Sequence, residues 1–181
     1  MNSRYSYGGS KIISELLAIN YGRRDFDRVM IFRPHNVYGP DMGWEHVIPQ
    51  LALRAKKLVE VGLEEKKVFP VLGSGNQTRA FIHIDDFTGG LMKVIAKGQH
   101  HNIYHIGNDE EINIKTLASK ILECFNIDAE IISNDAPEGE TTRRCPNVNK
   151  LRSLGYEQKV SLEKGLQQVV NWYSKNAHLK P

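Results

Sequence analysis

The chain offers little that would place it in a membrane, a disulfide scaffold or a nucleic-acid complex. None of its apolar runs approaches the roughly 18 residues that cross a bilayer. Its two cysteines, Cys124 and Cys145, show neither metal-ligand spacing nor a redox motif. Reduced thiols, no metal site and a cytoplasmic location are the expectation. The opening Met1-Asn2-Ser3-Arg4 lacks the apolar core of a signal peptide. Positive charge is not concentrated either. The 24 lysines and arginines are interleaved with 21 acids for a net charge of +3, which is no nucleic-acid footprint. There is no internal repeat and no low-complexity segment. Gly73 and Gly75 do not form a dinucleotide fingerprint, because a strand-like run and not a helix follows them, and they read as a turn.

What remains is an ordinary globular composition. At 181 residues, with 40% apolar and 25% charged residues, the chain suits one domain, or one domain with a small lobe. Periodicity gives its organisation. Ile12, Ile13, Leu16, Leu17 and Ile19 mark a helix over about 6–21, and residues 28–33 form a short buried-strand run closed by Pro34. A turn-rich loop follows, then a helix over about 47–58 that carries Pro49 in its first turn. A strand at 69–72 reads as an edge because of Pro70. Another strand covers 79–84, and Asp85 or Asp86 is the expected cap of a helix reaching about residue 96. A strand at 102–106, a helix at 114–125, a strand at 129–132, a polar loop at 133–144 and a last helix capped by Ser161 complete the pattern. Such alternation predicts an α/β fold with a largely parallel sheet, its last third forming a small lobe.

Tyr7 and Lys11 stand four apart, hence on one face of the first helix. An ammonium beside a phenol favours the phenolate, and such a tyrosine can exchange a proton with a hydroxyl. The spacing alone carries little weight. With 7 tyrosines and 14 lysines in 181 residues, chance supplies about 0.5 such pairs. The loop Arg33-Pro34-His35-Asn36-Val37-Tyr38-Gly39-Pro40 follows a buried strand, so it lies at the carboxyl edge of the sheet, where α/β folds bind ligands.

Taken in order, the motifs resemble the extended short-chain dehydrogenase/reductase family, the NAD-dependent nucleotide-sugar epimerases and dehydratases. They are Tyr-Gly-Gly-Ser-Lys (7–11), the 33–40 loop, Gly-Ser-Gly-Asn-Gln-Thr-Arg-Ala-Phe-Ile-His-Ile-Asp-Asp (73–86), Tyr-His-Ile-Gly-Asn (104–108), Arg-Arg-Cys-Pro-Asn-Val-Asn-Lys (143–150) and Leu-Gly-Tyr (154–156). The resemblance implies NAD or NADP as cofactor and a nucleotide sugar as substrate, oxidised transiently to a keto-sugar. Tyr7 would be the acid/base, and Lys11 would hold the nicotinamide ribose. Pro34 and Val37 would lie against the nicotinamide, and Asn36 would reach the substrate diphosphate. Arg79 and Arg144, with Arg143, would hold the same ligand, and two guanidinium forks suit a diphosphate. Phe69 and Val71 would flank the base. His46, in a His-Val-Ile-Pro run similar to that of GDP-fucose synthases, would touch substrate or assist epimerisation, although Met42-Gly43-Trp44-Glu45 departs from that subfamily.

Each residue also has a plainer reading. Arg79 suits an ion pair with Asp85 or Asp86, Arg143 and Arg144 suit a solvated loop, and Asn36 suits a turn. Tyr38 reads as structural, and His83 and His105 as packed within strands. The family's Gly-x-x-Gly-x-x-Gly turn occurs nowhere in the 181 residues. The chain therefore resembles the C-terminal half of such an enzyme: part of a Rossmann-like sheet plus a substrate-binding lobe over about 40–80 and 108–181. The expectations are weak or absent NAD binding, no turnover alone, an exposed apolar surface, and a homodimer or a complementing N-terminal half as partner. A non-catalytic nucleotide-sugar-binding module is the alternative.

Overall fold

Residues 3–60, 67–135 and 141–181 are described by a computed structural model. In chain order the elements are α1 (Ser3–Gly22), β1 (Met30–Pro34), β2 (Val37–Tyr38), α2 (Val47–Glu60), β3 (Val68–Leu72), β4 (Thr78–Ala80), β5 (Ile82–His83), α3 (Ile84–Lys97), β6 (Asn102–Ile106), β7 (Glu111–Asn113), α4 (Ile114–Cys124), β8 (Glu130–Asn134), β9 (Arg143–Arg144), α5 (Asn149–Arg152) and α6 (Leu162–Asn176), followed by a 3₁₀ turn (Ala177–Leu179). The strands pair as β1 with β6, β2 with β5, β3 with β8, and β4 between β7 and β9. Only the β4–β7 pairing is antiparallel among these, as the alternation of strands and helices predicts. Pro70 sits in β3, which among the described residues pairs with β8 in a two-stranded sheet, the edge position expected of a strand proline.

Two apolar cores organise the described residues. In the first, α2, α4 and α6 close over β3. Ile48, Leu51, Phe69, Val71, Leu117, Ile121, Leu166, Val169 and Tyr173 are all buried there. Each such side chain contributes roughly 1.5–3 kcal/mol by leaving water. Side-chain caps set the ends of two of these helices. Asn113 accepts from the Thr116 amide at 2.7 Å, and Ser161 accepts from the Lys164 amide at 3.3 Å. The Tyr173 hydroxyl donates to the Met42 carbonyl, and burial pushes its pKa up to about 12. The second core lies between the β1–β6 pair, α3 and α5, and contains Ile82, Val94, Tyr104, Ile106, Leu151 and Tyr156.

One contact ties α3 of the second core to the start of α6: buried Asp86 accepts hydrogen bonds from the Lys159 and Val160 amides at 3.0 and 2.9 Å. Within the first core, Gly165 on α6 lies against the ring and hydroxyl of Tyr38, where a Cβ would collide. Burial, the first cause, and the carboxylates of Asp86 and Glu163 raise the Tyr38 pKa, so the phenol stays protonated there.

Several local expectations change. The strand expected at 79–84 breaks at Phe81 into β4 and β5, because the chain leaves one set of partners for another. The α3 cap is His83, not Asp85 or Asp86: its Nδ1 accepts from the Asp85 amide at 3.3 Å. The polar 133–144 loop contains β9, while residues 136–140 lie outside the described set.

α1 behaves differently from the other helices. Ile12, Ile13, Leu16, Leu17 and Tyr21 are each more than half exposed. The helix meets the body through Glu15, whose carboxylate pairs with Arg33 at 2.6 Å, and through Gly22, packed against Val29 and His101. Phe32 on β1 and Met92 and Ile95 on α3 are also exposed. The expected exposed apolar surface is present.

Candidate functional site

Tyr7 and Lys11 occupy the N-terminal half of α1, as their spacing requires. The Lys11 ammonium lies 5.1 Å from the centroid of the Tyr7 ring, and the tyrosine is 70% exposed. The pair is therefore presented to solvent on a helix whose apolar side is also open.

The 34–37 loop leaves the carboxyl end of β1 and enters β2. Its shape depends on Asn36, which adopts φ +41, a left-handed conformation that asparagine tolerates. The Asn36 side-chain amide donates to the Ala80 carbonyl at 2.8 Å, and its own carbonyl accepts from the Ile82 amide. The Asn36 side chain thus bonds the backbone of the distant strand β4 and not that of its own turn. Pro34 is exposed, while Val37 is half-buried against the second core.

His46 is exposed just before α2, with its carbonyl accepting from the Gln50 amide and its ring beside Gly43. Phe69 and Val71 are 0% and 1% exposed. Both side chains belong to the first core, where neither has an open face in this structure.

The three arginines separate cleanly. β4 and β9 run parallel with Thr78 opposite Arg143 and Arg79 opposite Arg144. Successive strand residues point to opposite faces, so Arg79 and Arg144 share one face and Arg143 takes the other. Arg143 is committed there to Glu111, at 2.5 Å, and Thr78 donates to the same carboxylate at 2.7 Å. These bonds hold the Glu111 carboxyl below the usual carboxylate range, the Arg143 hydrogen bond being the largest cause. Arg79 donates to the Thr78 and Thr141 carbonyls at 2.7 Å each, and Arg144 donates to the Thr141 hydroxyl at 3.4 Å. The expected Arg79 pairing with Asp85 or Asp86 is not among these bonds. Asp86 instead serves the backbone of Lys159 and Val160.

A pocket of about 220 Å³ lies on the Arg79 face, lined by Glu45, Gln50, Arg54, Leu72 and Gln77 besides Arg79. Arg54 escaped the sequence reading. It stands on α2, donates to the Pro70 carbonyl, and lies 5.9 Å from the Phe69 ring centroid. A signal existed: Arg54 follows Val47 by seven positions and Leu51 by three, so a charge interrupts the apolar stripe of α2. Gln77, buried, spans the turn by donating to the Leu72 carbonyl at 2.8 Å. A larger depression of about 640 Å³ opens beside Phe81, α4 and the start of α6. The Lys120–Glu163 pair at 2.6 Å and Glu111, already paired with Arg143, line it, so its charges are largely matched. Among the described residues, no three His, Cys, Asp or Glu side chains are grouped to hold a metal ion, and no helix is long and apolar enough to cross a membrane.

Comparison with known proteins gives this arrangement a context. The profile of the NAD dependent epimerase/dehydratase family matches residues 1–107. The dTDP-D-glucose 4,6-dehydratase of Mus musculus is 32% identical over 180 residues, covering 95% of this chain and 48% of the mouse protein. The dTDP-glucose 4,6-dehydratase DesIV of Streptomyces venezuelae, solved with NAD bound, superposes with a TM-score of 0.79 at 31% identity, over 96% of this chain and 52% of its own. UDP-glucuronic acid 4-epimerase of Bacillus cereus, solved with UDP-glucuronic acid and NAD, gives 0.79 at 25% identity, over 93% and 52%. The chain spans about half the length of these relatives. Their shared architecture is the Rossmann-like α/β fold that the parallel pairings describe.

Proposed function

The chain belongs to the NAD-dependent epimerase/dehydratase family, and from that premise we propose that it forms the substrate side of an enzyme acting on a nucleotide-activated sugar through a transient keto-sugar. The observation that carries the reading is the register of β4 on β9, which sets Arg79 and Arg144 on one face beside the pocket of Glu45, Gln50 and Arg54. Guanidinium forks hold a diphosphate by charge-assisted hydrogen bonds without activating it for cleavage. The lobe formed by the first core, from about residues 40–80 and 108–181, supplies this face. Arg143, held by Glu111, supports the strand and does not contact the ligand.

Tyr7 is the residue proposed to accept and return the proton of a sugar hydroxyl, with Lys11 holding the ribose of the dinucleotide. The residues present suit the nicotinamide end of NAD: a solvent-facing Tyr–Lys pair and a loop with left-handed Asn36 at the carboxyl edge of β1. When bound, NAD supplies the hydride acceptor. The 181 residues contain no glycine-rich turn for the pyrophosphate, so we expect them to bind dinucleotide weakly and to show no turnover alone. On that point a non-catalytic nucleotide-sugar-binding module is the second reading. The relatives named dTDP-glucose 4,6-dehydratase make a dTDP- or UDP-hexose and 4,6-dehydration the first chemistry to try.

The test is a thermal-shift series with dTDP-, UDP-, GDP- and CDP-sugars. A ligand selective for the folded state at a hundredfold excess over its Kd adds about 2.7 kcal/mol, a rise of roughly 5 °C or more. Arg79→Ala and Arg144→Ala should abolish the rise and Arg143→Ala should keep it. No shift with any nucleotide sugar, or equal loss in all three variants, overturns the assignment.

A further inference from the structure

One cluster of titratable groups is used neither by the proposed site nor by either core. At the carboxyl ends of the paired strands β1 and β6, His35 Nε2 and His105 Nδ1 lie 2.7 Å apart, in hydrogen-bond contact. Their rings are tilted by 46°, with centroids 4.9 Å apart. The strands are in register there, with Arg33 opposite His105 and the His35 amide donating to the Ile106 carbonyl at 3.0 Å. Gly107 completes the fit, because a Cβ at that position would come within 2.9 Å of His35 Cβ and 2.8 Å of Pro146 Cγ. The loop that begins at His35 is thus fastened at both ends: by His105 on one side, and by the Asn36 bond to Ala80 on the other.

We propose that His35 and His105 form a positioning clamp, which holds the 34–37 loop on β6 while the two rings share one hydrogen bond and releases it when both are protonated. The proton count follows from imidazole chemistry. In the neutral pair one of the two facing nitrogens carries hydrogen and the other accepts. A first added proton goes to an outer nitrogen and leaves the shared bond in place. With a second, both facing nitrogens carry hydrogen, the acceptor is gone, and two cations stand at contact distance.

The surroundings decide where this happens. Arg33 on β1 and Lys150 on α5 are the cations that face the pair, and Glu15 on α1 is the anion. Burial comes first in lowering both imidazoles below their ordinary value. For His35 the neighbouring His105 and Arg33 add to it; for His105, Arg33 and Lys150 add to it and Glu15 opposes. The same cations disfavour a metal ion between the rings, since it would bring further positive charge. That the clamped loop meets a nicotinamide rests on the function proposed above. The clamp itself does not, and its test needs no ligand.

The experiment is an NMR titration of the unmodified, ¹⁵N-labelled chain from pH 8 to 4.5, following the imidazole nitrogens together with amide hydrogen-exchange protection factors. Near pH 7.5 one facing nitrogen should carry hydrogen and the other none. On acidification the two rings should titrate as a coupled pair. The protection of the His35 and Ile82 amides should then fall at least tenfold, while that of the Ile114 amide, bonded to the Gln77 carbonyl in the lobe, holds. His105→Asn and His35→Phe should each remove the acid-induced fall. Two independent titrations at the ordinary histidine value, or a parallel fall at Ile114, would overturn the clamp. So would an unchanged pH profile in His105→Asn. If a variant does not fold, the titration of the unmodified chain decides alone. Failure here with an intact nucleotide-sugar shift removes only the clamp, and the converse removes only the substrate site.

Discussion

α1 and α6 both carry apolar side chains at helical spacing and meet opposite fates. In α6, Leu166, Val169, Val170 and Tyr173 are buried against α2 and α4. In α1, Ile12, Ile13, Leu16, Leu17 and Tyr21 stay more than half exposed. Intrinsic helix propensity does not separate the two; the availability of a complementary face does, since tertiary packing supplies most helix stability in proteins. A helix apolar around more than one side is built to be covered on more than one side. The site follows the same division: the arginine face rests on the packed region, whereas Tyr7 and Lys11 stand on the uncovered helix.

This contrast can be attacked from its stable side first. Phe69→Ala, in the first core, should cost about 3–5 kcal/mol in denaturant unfolding, as large-to-small changes at fully buried sites do. A loss below about 1 kcal/mol would mean that the first core is looser than its burial implies. Next in size is Asp86→Ala, which strips two backbone amides of their acceptor. We expect about 2–3 kcal/mol, with early loss of protection at Lys159 and Val160 by hydrogen exchange. Global unfolding unaccompanied by that local signature would show that Asp86 does not staple α3 to the entry of α6.

Acid should act first at the carboxyl ends of β1 and β6. The imidazoles of His35 and His105 bind protons less readily in the folded chain than in the unfolded one. Their stabilising contribution is therefore complete above the ordinary histidine value of about 6.5 and declines as pH falls below it towards the lowered folded values. Unfolding curves collected between pH 7.5 and 5 should show this slope, and His35→Phe should flatten it; a slope of opposite sign would contradict the assignment. The smallest effect belongs to α1. Ile13→Gln with Leu17→Gln should change monomer stability by less than about 0.5 kcal/mol, because both side chains are more than half exposed. The same pair should reduce association measured by light scattering. A loss comparable to that of Phe69→Ala would mean that the α1 surface is covered in solution.

The sequence was most legible where one pattern ran uninterrupted. The β6 run and the Ser161 cap could be read directly, because a short β-branched and aromatic run and a hydroxyl before an amphipathic stretch have few other meanings. It was least legible where the structure is made by partners distant in sequence. β7 and β9 span three and two residues, too short for any period to register, yet their pairing with β4 decides which arginines share the Arg79 face. His83 was hidden as a cap because a ring nitrogen does the work usually sought in a carboxylate. Arg79 and Arg144 came from a family resemblance; only the strand register distinguishes them from Arg143.

That register has a consequence if it slips: a shift of β9 by one position along β4 would exchange its two faces. At most strand positions such a slip swaps a charge for an apolar group. Here the two neighbours are both arginine, so a slipped strand still sets one guanidinium on the Arg79 face and another on the Glu111 face. The Arg143-Arg144 doublet keeps the charge pattern of this edge through such a slip, where a single substitution would not.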